Sequence, residues 1–469
     1  MDNAFVTIYL LSVFAVGILA GRGIKNLHYY SVVNRSYGPL IIFATLSASF
    51  IGGGFSIGNA GKVFTFGIVN IIALWGFSLK EVLVATVIVP RMGNFPDAIS
   101  VGDIMETNYG KPGKVISGIF SVMLCAGIVG AQVGGIGYVF NVFLGLPTTT
   151  GIIIGCGIVI IYATIGGMKA VIITDIIQFI VLAIGMPLVL LFGIHYVGGL
   201  TALTEAIPAG HFSLISEKVP FWAFCSLFLT FLLGETLVPP YVQRLLIGKS
   251  IKATARGTLF SGLFSIPVFA ITGCIGLIAL AIDPNLDSSL AMPFVIKTVL
   301  PIGLKGIVIA GVISIVMSSA DSFLNSSSVA FIHDIITPFR SQRLPEKTEL
   351  FIARLVTLIV GLCSVIFAIK IKGVLDILIY AYNFWAPIIL VPLAATLLGR
   401  KASLRNLIAG AIAGIFGVII WNQLLGQPGK VDGLVIGVGC NLVGFCACGF
   451  RAKGDCLRGG MGERGARDK

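Results

Sequence analysis

Charge is scarce in this sequence. Only 11% of its 469 residues are Asp, Glu, Lys or Arg, against 57% hydrophobic, and the mean hydropathy is +1.01. Soluble domains carry about a quarter charged residues, so that class is excluded. Long hydrophilic stretches are lacking too. The longest, at 91–113, 197–220, 283–302 and beyond Arg451, run to about 20 residues, too short for a separate soluble domain. Histidine occurs only at 28, 195, 211 and 333, near the ends of apolar runs. No nucleophile and base pair, zinc-ligand spacing or phosphate loop is visible, which argues against an intramembrane enzyme. The nine Cys are scattered singly and read as small packing residues, not as a disulfide framework or metal site. The first apolar run has no basic stretch ahead of it and no small-residue cleavage site behind it, so it reads as a retained span.

What is present is a succession of apolar runs of about 20 residues, each able to cross a hydrocarbon core roughly 30 Å thick. They fall near 4–21, 37–60, 66–90, 115–140, 150–168, 171–196, 221–243, 257–282, 306–332, 350–369, 374–399, 406–425 and 433–450. The pattern predicts an all-α membrane protein of about 13 transmembrane helices. A net charge of +12 invites a nucleic-acid reading, but on a membrane chain the placement of Lys and Arg is the better guide. With the N-terminus outside, 24 of the 32 Lys and Arg lie on the cytoplasmic side and seven outside, with Lys80 inside a span. The expected partner is therefore a lipid bilayer and no nucleic acid. The chain is expected to be multi-pass in the cell membrane, with a cytoplasmic C-terminus and a monomer as the expected form. Segment 91–113 reads equally as a short interfacial helix or a solvated loop, and the Gly-rich basic tail 451–469 as disordered chain near anionic headgroups.

Two spans carry helix-breaking residues at comparable places. The second contains SASFIGGGFSIG, with Gly52 to Gly54; the seventh contains LLGETLVPPYVQR, with Gly234, Pro239 and Pro240. Either alone is weak, since Gly and Pro occur in ordinary spans. As a pair they are the first and sixth members of a ten-span set from 37 to 399, where an inverted five-plus-five repeat places its two discontinuous helices. The expected organisation is a leading helix and loop at 1–36, a ten-helix core at 37–399, two further helices at 400–450 and the tail 451–469. Such breaks free backbone carbonyls and half-helix ends at mid-membrane, where an ion and a solute can bind.

Polar residues inside spans cost several kcal/mol unless paired or hydrated, and here they cluster. In the ninth span Ile315, Ser318, Ser319 and Ser322 follow i, i+3, i+4, i+7 along one face. Hydroxyl and carbonyl oxygens on one face suit a hard cation, although Ser also bonds back to its own turn or packs between helices. Asp321 and Asp175 add carboxylates that could hold a second cation or a proton, unless Asp175 is hydrated at the membrane boundary. Glu235, beside the seventh-span break, reads equally as a contact for a cationic solute or as a partner of Lys80. Gln132 and Tyr241 are candidates to line a polar path. Gln243 is a third, and Gln243 and Arg244 fit equally at the inner headgroup level. The four Trp read mainly as interface or core aromatics.

These motifs make the chain resemble the sodium/solute symporter family, from YYSVVNRSYGPLIIFATLSASFIGGG through GGMKAVIITDIIQ and PPYVQRLLIGKS to IVMSSADSFLNSSS. The resemblance implies a leucine-transporter-type fold and sodium-coupled uptake of a small organic solute. It places a sodium site on the carbonyls of Ala48, Ile51 and Ile315 and the hydroxyls of Ser318 and Ser319. It also implies a second cation position at Asp175, Ser318, Asp321 and Ser322, with Asp321 standing where members have a hydroxyl. Solute contacts are expected beside the breaks, at Phe50, Gly53, Gln132, Glu235, Val238 and Tyr241. The motifs look most like the choline transporter branch, which holds a quaternary ammonium with tryptophans. Phe50 and Val238 stand at two of those places, which argues against choline itself, and Glu235 would suit a protonated amine instead. A solute sensor of the same fold and a proton-coupled transporter are the alternatives.

Overall fold

The structure, a computed structural model, describes residues 35–449 except 343 and 372, together with residues 8, 11, 12, 15 and 19. The expected leading span at 4–21 lies almost wholly outside the described residues, and the tail 451–469 entirely so. Among the described residues the chain is helical, with one isolated bridge between Tyr37 and Gly248. Among the described residues, eight helices are long and apolar enough to cross a membrane, or nine when a pair bent by 62° is taken as one span.

That pair is α1 (Pro39–Phe50) and α2 (Gly54–Phe66). It is followed by α3 (Val69–Asn94), α4 (Val101–Leu144) and α5 (Thr148–Tyr196). The second set holds α6 (Phe221–Leu233), α7 (Pro239–Leu246), α8 (Ile251–Ile282), α9 (Leu304–Val329), α10 (Glu346–Lys370), α11 (Val374–Tyr382) and α12 (Val391–Leu397). The last two helices, α13 (Leu404–Ile419) and α14 (Gly433–Ala447), pack on each other and on the segment around Pro387, whose carbonyl accepts from Asn441 Nδ2 at 2.7 Å.

α9 is the hub, buried along almost its whole length against α1, α4, α5 and α10. Its sequence explains this. Gly, Ala and Ser recur on every side, letting neighbouring backbones approach, and its hydroxyls face other helices instead of lipid.

Several boundaries differ from the sequence expectation. Segment 101–109 is helical, started by a capping box between Ser100 and Asp103, and forms the first part of α4, which kinks at Gly110 with φ 65°. Helical residues run unbroken from Thr148 to Tyr196 where two spans were expected, although the apolar segments Thr148–Ile161 and Val171–Tyr196 are both present. The loop at 283–302 contains a helix, Ala291–Val299. The expected span 374–399 is a third interrupted helix, opened at Asn383–Trp385 between α11 and α12.

Candidate functional site

The first break begins with α1 starting at Pro39, where a missing N–H is harmless, and the helix ends at Phe50. Its last turn, which includes Ala48, has no continuing helix to donate N–H groups to its carbonyls. Gly53 N donates to Gln132 Oε1 at 2.8 Å, fixing the freed backbone to α4. Gly52 permits the close approach of α9: a Cβ there would stand 2.2 Å from Ser319 Oγ and 2.8 Å from Gln132 Oε1. Gly52→Ala is therefore expected to force the break away from α9 and to destabilise the protein by about 1–3 kcal/mol, the usual range for overpacking. Thermal unfolding in detergent reads this directly, and an unchanged midpoint would contradict it.

At the second break α6 ends before Gly234 and α7 resumes at Pro239. Pro239 and Pro240 occupy the first turn of α7, where proline is tolerated. Between the helices the buried Leu237 sits at φ 58°, a left-handed conformation disfavoured for a residue with a Cβ. Trp385, fully buried in the third break, donates from Nε1 to Thr236 O at 2.9 Å, so one broken helix satisfies a carbonyl released by another. Val238 caps α7 and is buried.

Around these breaks lie two groups of buried charge. In the first, Ser319 Oγ stands 2.8 Å from Ser49 O and 3.2 Å from Ile315 O, so α9 oxygens do meet those of α1. Ala48 and Ile51 are buried at the same end of α1. Ser318 Oγ turns instead to Asp175 Oδ1, and Ser322 Oγ to Ser318 O at 2.7 Å. Asp175 is wholly buried, not hydrated at a boundary, and also accepts from Thr45 and, at 3.1 Å, from Ser49. Asp321 Oδ1 lies 3.3 Å from Ser322 Oγ, while its Oδ2 is buried without a hydrogen-bond partner. Arg244 enters this group at zero exposure, with Nη2 3.1 Å from Asp175 Oδ2. The headgroup alternative for Gln243 and Arg244 is thus set aside: both are buried in protein, Gln243 accepting from Ser326 Oγ at 2.6 Å.

The second group is built on α3. Lys80 Nζ pairs with Glu81 Oε1 at 2.8 Å and lies over the rings of Phe77, Tyr241 and Phe50, 3.7, 4.4 and 5.7 Å from their centroids. Ammonium over aromatic faces is a favourable arrangement, the more so away from water. Tyr241 Oη donates to Glu81 Oε2 at 2.9 Å. Glu235 pairs with neither cation through a salt bridge; Tyr382 Oη donates to its Oε2 at 3.4 Å. Phe50, at the first break, is shared by both groups, its ring centroid 5.7 Å from Lys80 Nζ and 5.8 Å from the Arg244 guanidinium carbon.

Of the residues expected to touch solute, the structure brings Phe50 and Tyr241 together, ring centroids 5.2 Å apart, and joins Gly53 to Gln132. A cavity of about 530 Å³ opens beyond the first break, lined by Ile57, Gly58, Tyr138 and Asp287 and bordered by the Lys62–Asp376 pair at 2.6 Å. It stops short of both charge groups. Away from the breaks, Asp103, His333 and Asp334 converge, with His333 Nε2 and Lys114 Nζ 2.8 and 2.7 Å from Asp103 Oδ1.

Multiple spanning helices broken at mid-length around buried charges and hydroxyls define the class of an ion-coupled membrane transporter. The sodium:solute symporter family model matches residues 29–415, and the chain belongs to that family, one of transporters and not of enzymes. Relatives include a high-affinity choline transporter of Drosophila melanogaster, 27% identical over 61% of this chain and 45% of that protein. The sodium/pantothenate symporter of Escherichia coli is 25% identical over 54% of each chain. The high-affinity proline transporter of Bacillus subtilis is 26% identical over 39% of this chain and 40% of that one. The matched stretches thus span about half the length of these relatives. Among solved structures, a sodium-coupled sialic acid symporter in a substrate-bound outward-open state superposes with a TM-score of 0.79 at 20% identity, over 94% of this chain and 96% of that one. A nucleobase-cation-symport-1 family transporter, Mhp1, gives 0.60 at 16%, over 88% and 93%. The shared fold is the leucine-transporter type.

Proposed function

We propose that this protein is a sodium-driven importer of a small organic solute bearing a protonated amine, working by alternating access, with its N-terminus outside and its C-terminus cytoplasmic. The observation that carries this is the charge balance of the buried core. Asp175, Asp321, Glu81 and Glu235 are each at most 2% exposed, and the equally buried cations beside them are Arg244 in the first group and Lys80 in the second. With all groups ionised, each group is one positive charge short. Uncompensated buried charge is strongly unfavourable, so each group favours the arrival of one cation. Sodium suits the first, where Ser319 and carbonyls of α1 and α9 supply oxygen. A protonated amine suits the second, where Glu235 is free of a salt bridge and Phe50, Tyr241 and Tyr382 supply aromatic surface.

Coupling then requires only that sodium bind one state of the breaks better than the other, since the affinity change between sites is reciprocal. The purified protein is expected to melt higher in sodium chloride than in potassium chloride. At sodium 100 times its dissociation constant the stabilisation is about 2.7 kcal/mol. In the presence of sodium, small amines and amino acids should stabilise it further where sugars and dicarboxylates do not. A proton in place of sodium draws support from the unpartnered Asp321 Oδ2. Stabilisation that follows pH and ignores sodium would favour that reading over the first.

A further inference from the structure

Lys80 is buried without the hydrogen bonds a buried cation ordinarily has. Its side chain is 1% exposed, and its ammonium faces the rings of Phe77 on α3, Tyr241 on α7 and Phe50 at the end of α1. Glu81 Oε1 stands 2.8 Å away, but adjacent residues on a helix do not face each other, and neither Lys80 Nζ nor Glu81 Oε1 makes a hydrogen bond. A primary ammonium carries three N–H donors, and leaving buried donors unpaired is costly. Ring faces and a carboxylate out of line therefore suit a cation that has no N–H groups better than they suit a lysine. The box is also firmly walled. Phe77 packs on Phe55 and Phe269 with centroids 5.0 and 5.7 Å away, and Phe50 on Tyr241 and Phe323 at 5.2 and 6.1 Å. It stands where the two breaks meet, since Phe50 is the last residue of α1 and Tyr241 lies in the first turn of α7.

We propose that Lys80 sets the solute specificity of this carrier by filling, with its own ammonium, an aromatic box suited to a quaternary ammonium. This rests on the reading of the protein as an importer of a protonated amine and narrows that class to amines that donate hydrogen bonds. With Lys80 in place, a quaternary ammonium finds the ring faces taken and meets a like charge at contact distance. It has no N–H with which to bond a carboxylate instead. A primary or secondary amine does not depend on the rings, because it can donate to Glu235, whose hydrogen-bond partner is the neutral hydroxyl of Tyr382. Lys80 thus acts as a built-in competitor, kept at high effective concentration by its tether to α3.

The test is thermal unfolding of the purified full-length protein in sodium chloride, titrated with tetramethylammonium and, separately, with methylamine. The unmodified protein is expected to ignore tetramethylammonium. Lys80→Ala empties the box and should bind it, with an apparent affinity roughly thirtyfold above that of the unmodified protein, the size of one desolvated cation–aromatic interaction. Lys80→Met removes the charge but keeps the box filled, so it should gain no such response. A tetramethylammonium response in the unmodified protein would overturn the proposal, as would an equal gain in Lys80→Met. A folded Lys80→Ala protein without the gain would show that Lys80 only pins α3 to the breaks, and would leave the amine reading untouched. Should Lys80→Ala fail to fold, its combination with Glu81→Gln, which leaves no unpaired carboxylate beside the box, carries the same test with a smaller gain. If Lys80→Ala gains tetramethylammonium while the unmodified protein ignores methylamine and other primary amines, the amine reading falls and the occupancy of the box by Lys80 stands.

Discussion

Glu235→Gln is expected to lower the affinity for an amine solute about a hundredfold while sodium-dependent stabilisation survives. The glutamine keeps the shape of the side chain and can still accept from Tyr382, whose hydroxyl lies 3.4 Å from the carboxylate, but it removes the charge. A buried hydrogen-bonded charge pair that loses one partner costs about 2–5 kcal/mol, and the lower half of that range corresponds to the hundredfold change. Because Glu235 belongs to the group on α3 and Ser319 to the group on α9, the two affinities should separate. Sodium alone should still raise the melting temperature of the variant by nearly the full amount, and only the further rise given by amines should vanish. A variant that keeps its amine response would place the solute elsewhere. One that loses both responses would show that Glu235 holds the break together instead of reading the solute. Glu81→Gln is a less clean probe, since Glu81 accepts from Tyr241 and pairs with Lys80, so its loss strands an ammonium among aromatic rings.

The two breaks on which this contrast depends are legible in the sequence because glycine and proline mark them chemically. Gly52 to Gly54 and the Pro239–Pro240 pair cannot continue a helix without cost, and the pairing of their positions along the chain indicates a repeat. The third break carries one such mark, Pro387, whose missing N–H leaves Asn383 O without its helical donor. What the sequence does not show is that Trp385 donates there to Thr236 O, a tertiary contact that no local propensity announces. The serine face of α9 is legible for a similar reason to the glycines, since period and residue type agree. Its partner charges are less so. Arg244 follows a span and looks like one more cytoplasmic basic residue under the positive-inside rule, yet it is turned inward by Asp175, 69 positions away in sequence. Lys80 is visible as a lone cation inside an apolar run, but its neighbour Glu81 is missed by the sequence reading, and only the approach of Phe50 and Tyr241 from the two breaks shows that the pair faces the transport core.

Ser319→Ala is expected to weaken sodium binding about ten- to a hundredfold with little change in the stability of the sodium-free protein. Its hydroxyl is the side-chain oxygen that meets α1 and α9 carbonyls together, 2.8 Å from Ser49 O and 3.2 Å from Ile315 O. Removing a buried polar group that a charged ligand relies on costs about 1–3 kcal/mol, which gives the stated range. The sodium-free protein loses a single neutral hydrogen bond, worth about 1 kcal/mol or less in net terms. Ser327 on the same helix provides the comparison. Its hydroxyl bonds back to Leu324 O at 2.7 Å, the self-contained arrangement by which serine is accommodated inside a helix. Ser327→Ala should therefore leave sodium affinity within about twofold, because no freed carbonyl or carboxylate depends on it. Sodium titrations of melting temperature for the two variants separate the alternatives. A loss confined to Ser319→Ala places the ion at the junction of α1 and α9, where its presence pulls the freed end of the first broken helix onto the hub. Equal losses would mean that packing along α9, and not coordination, governs the response. The absence of any loss at Ser319 would move the ion toward Asp321, whose Oδ2 is buried without a hydrogen-bond partner.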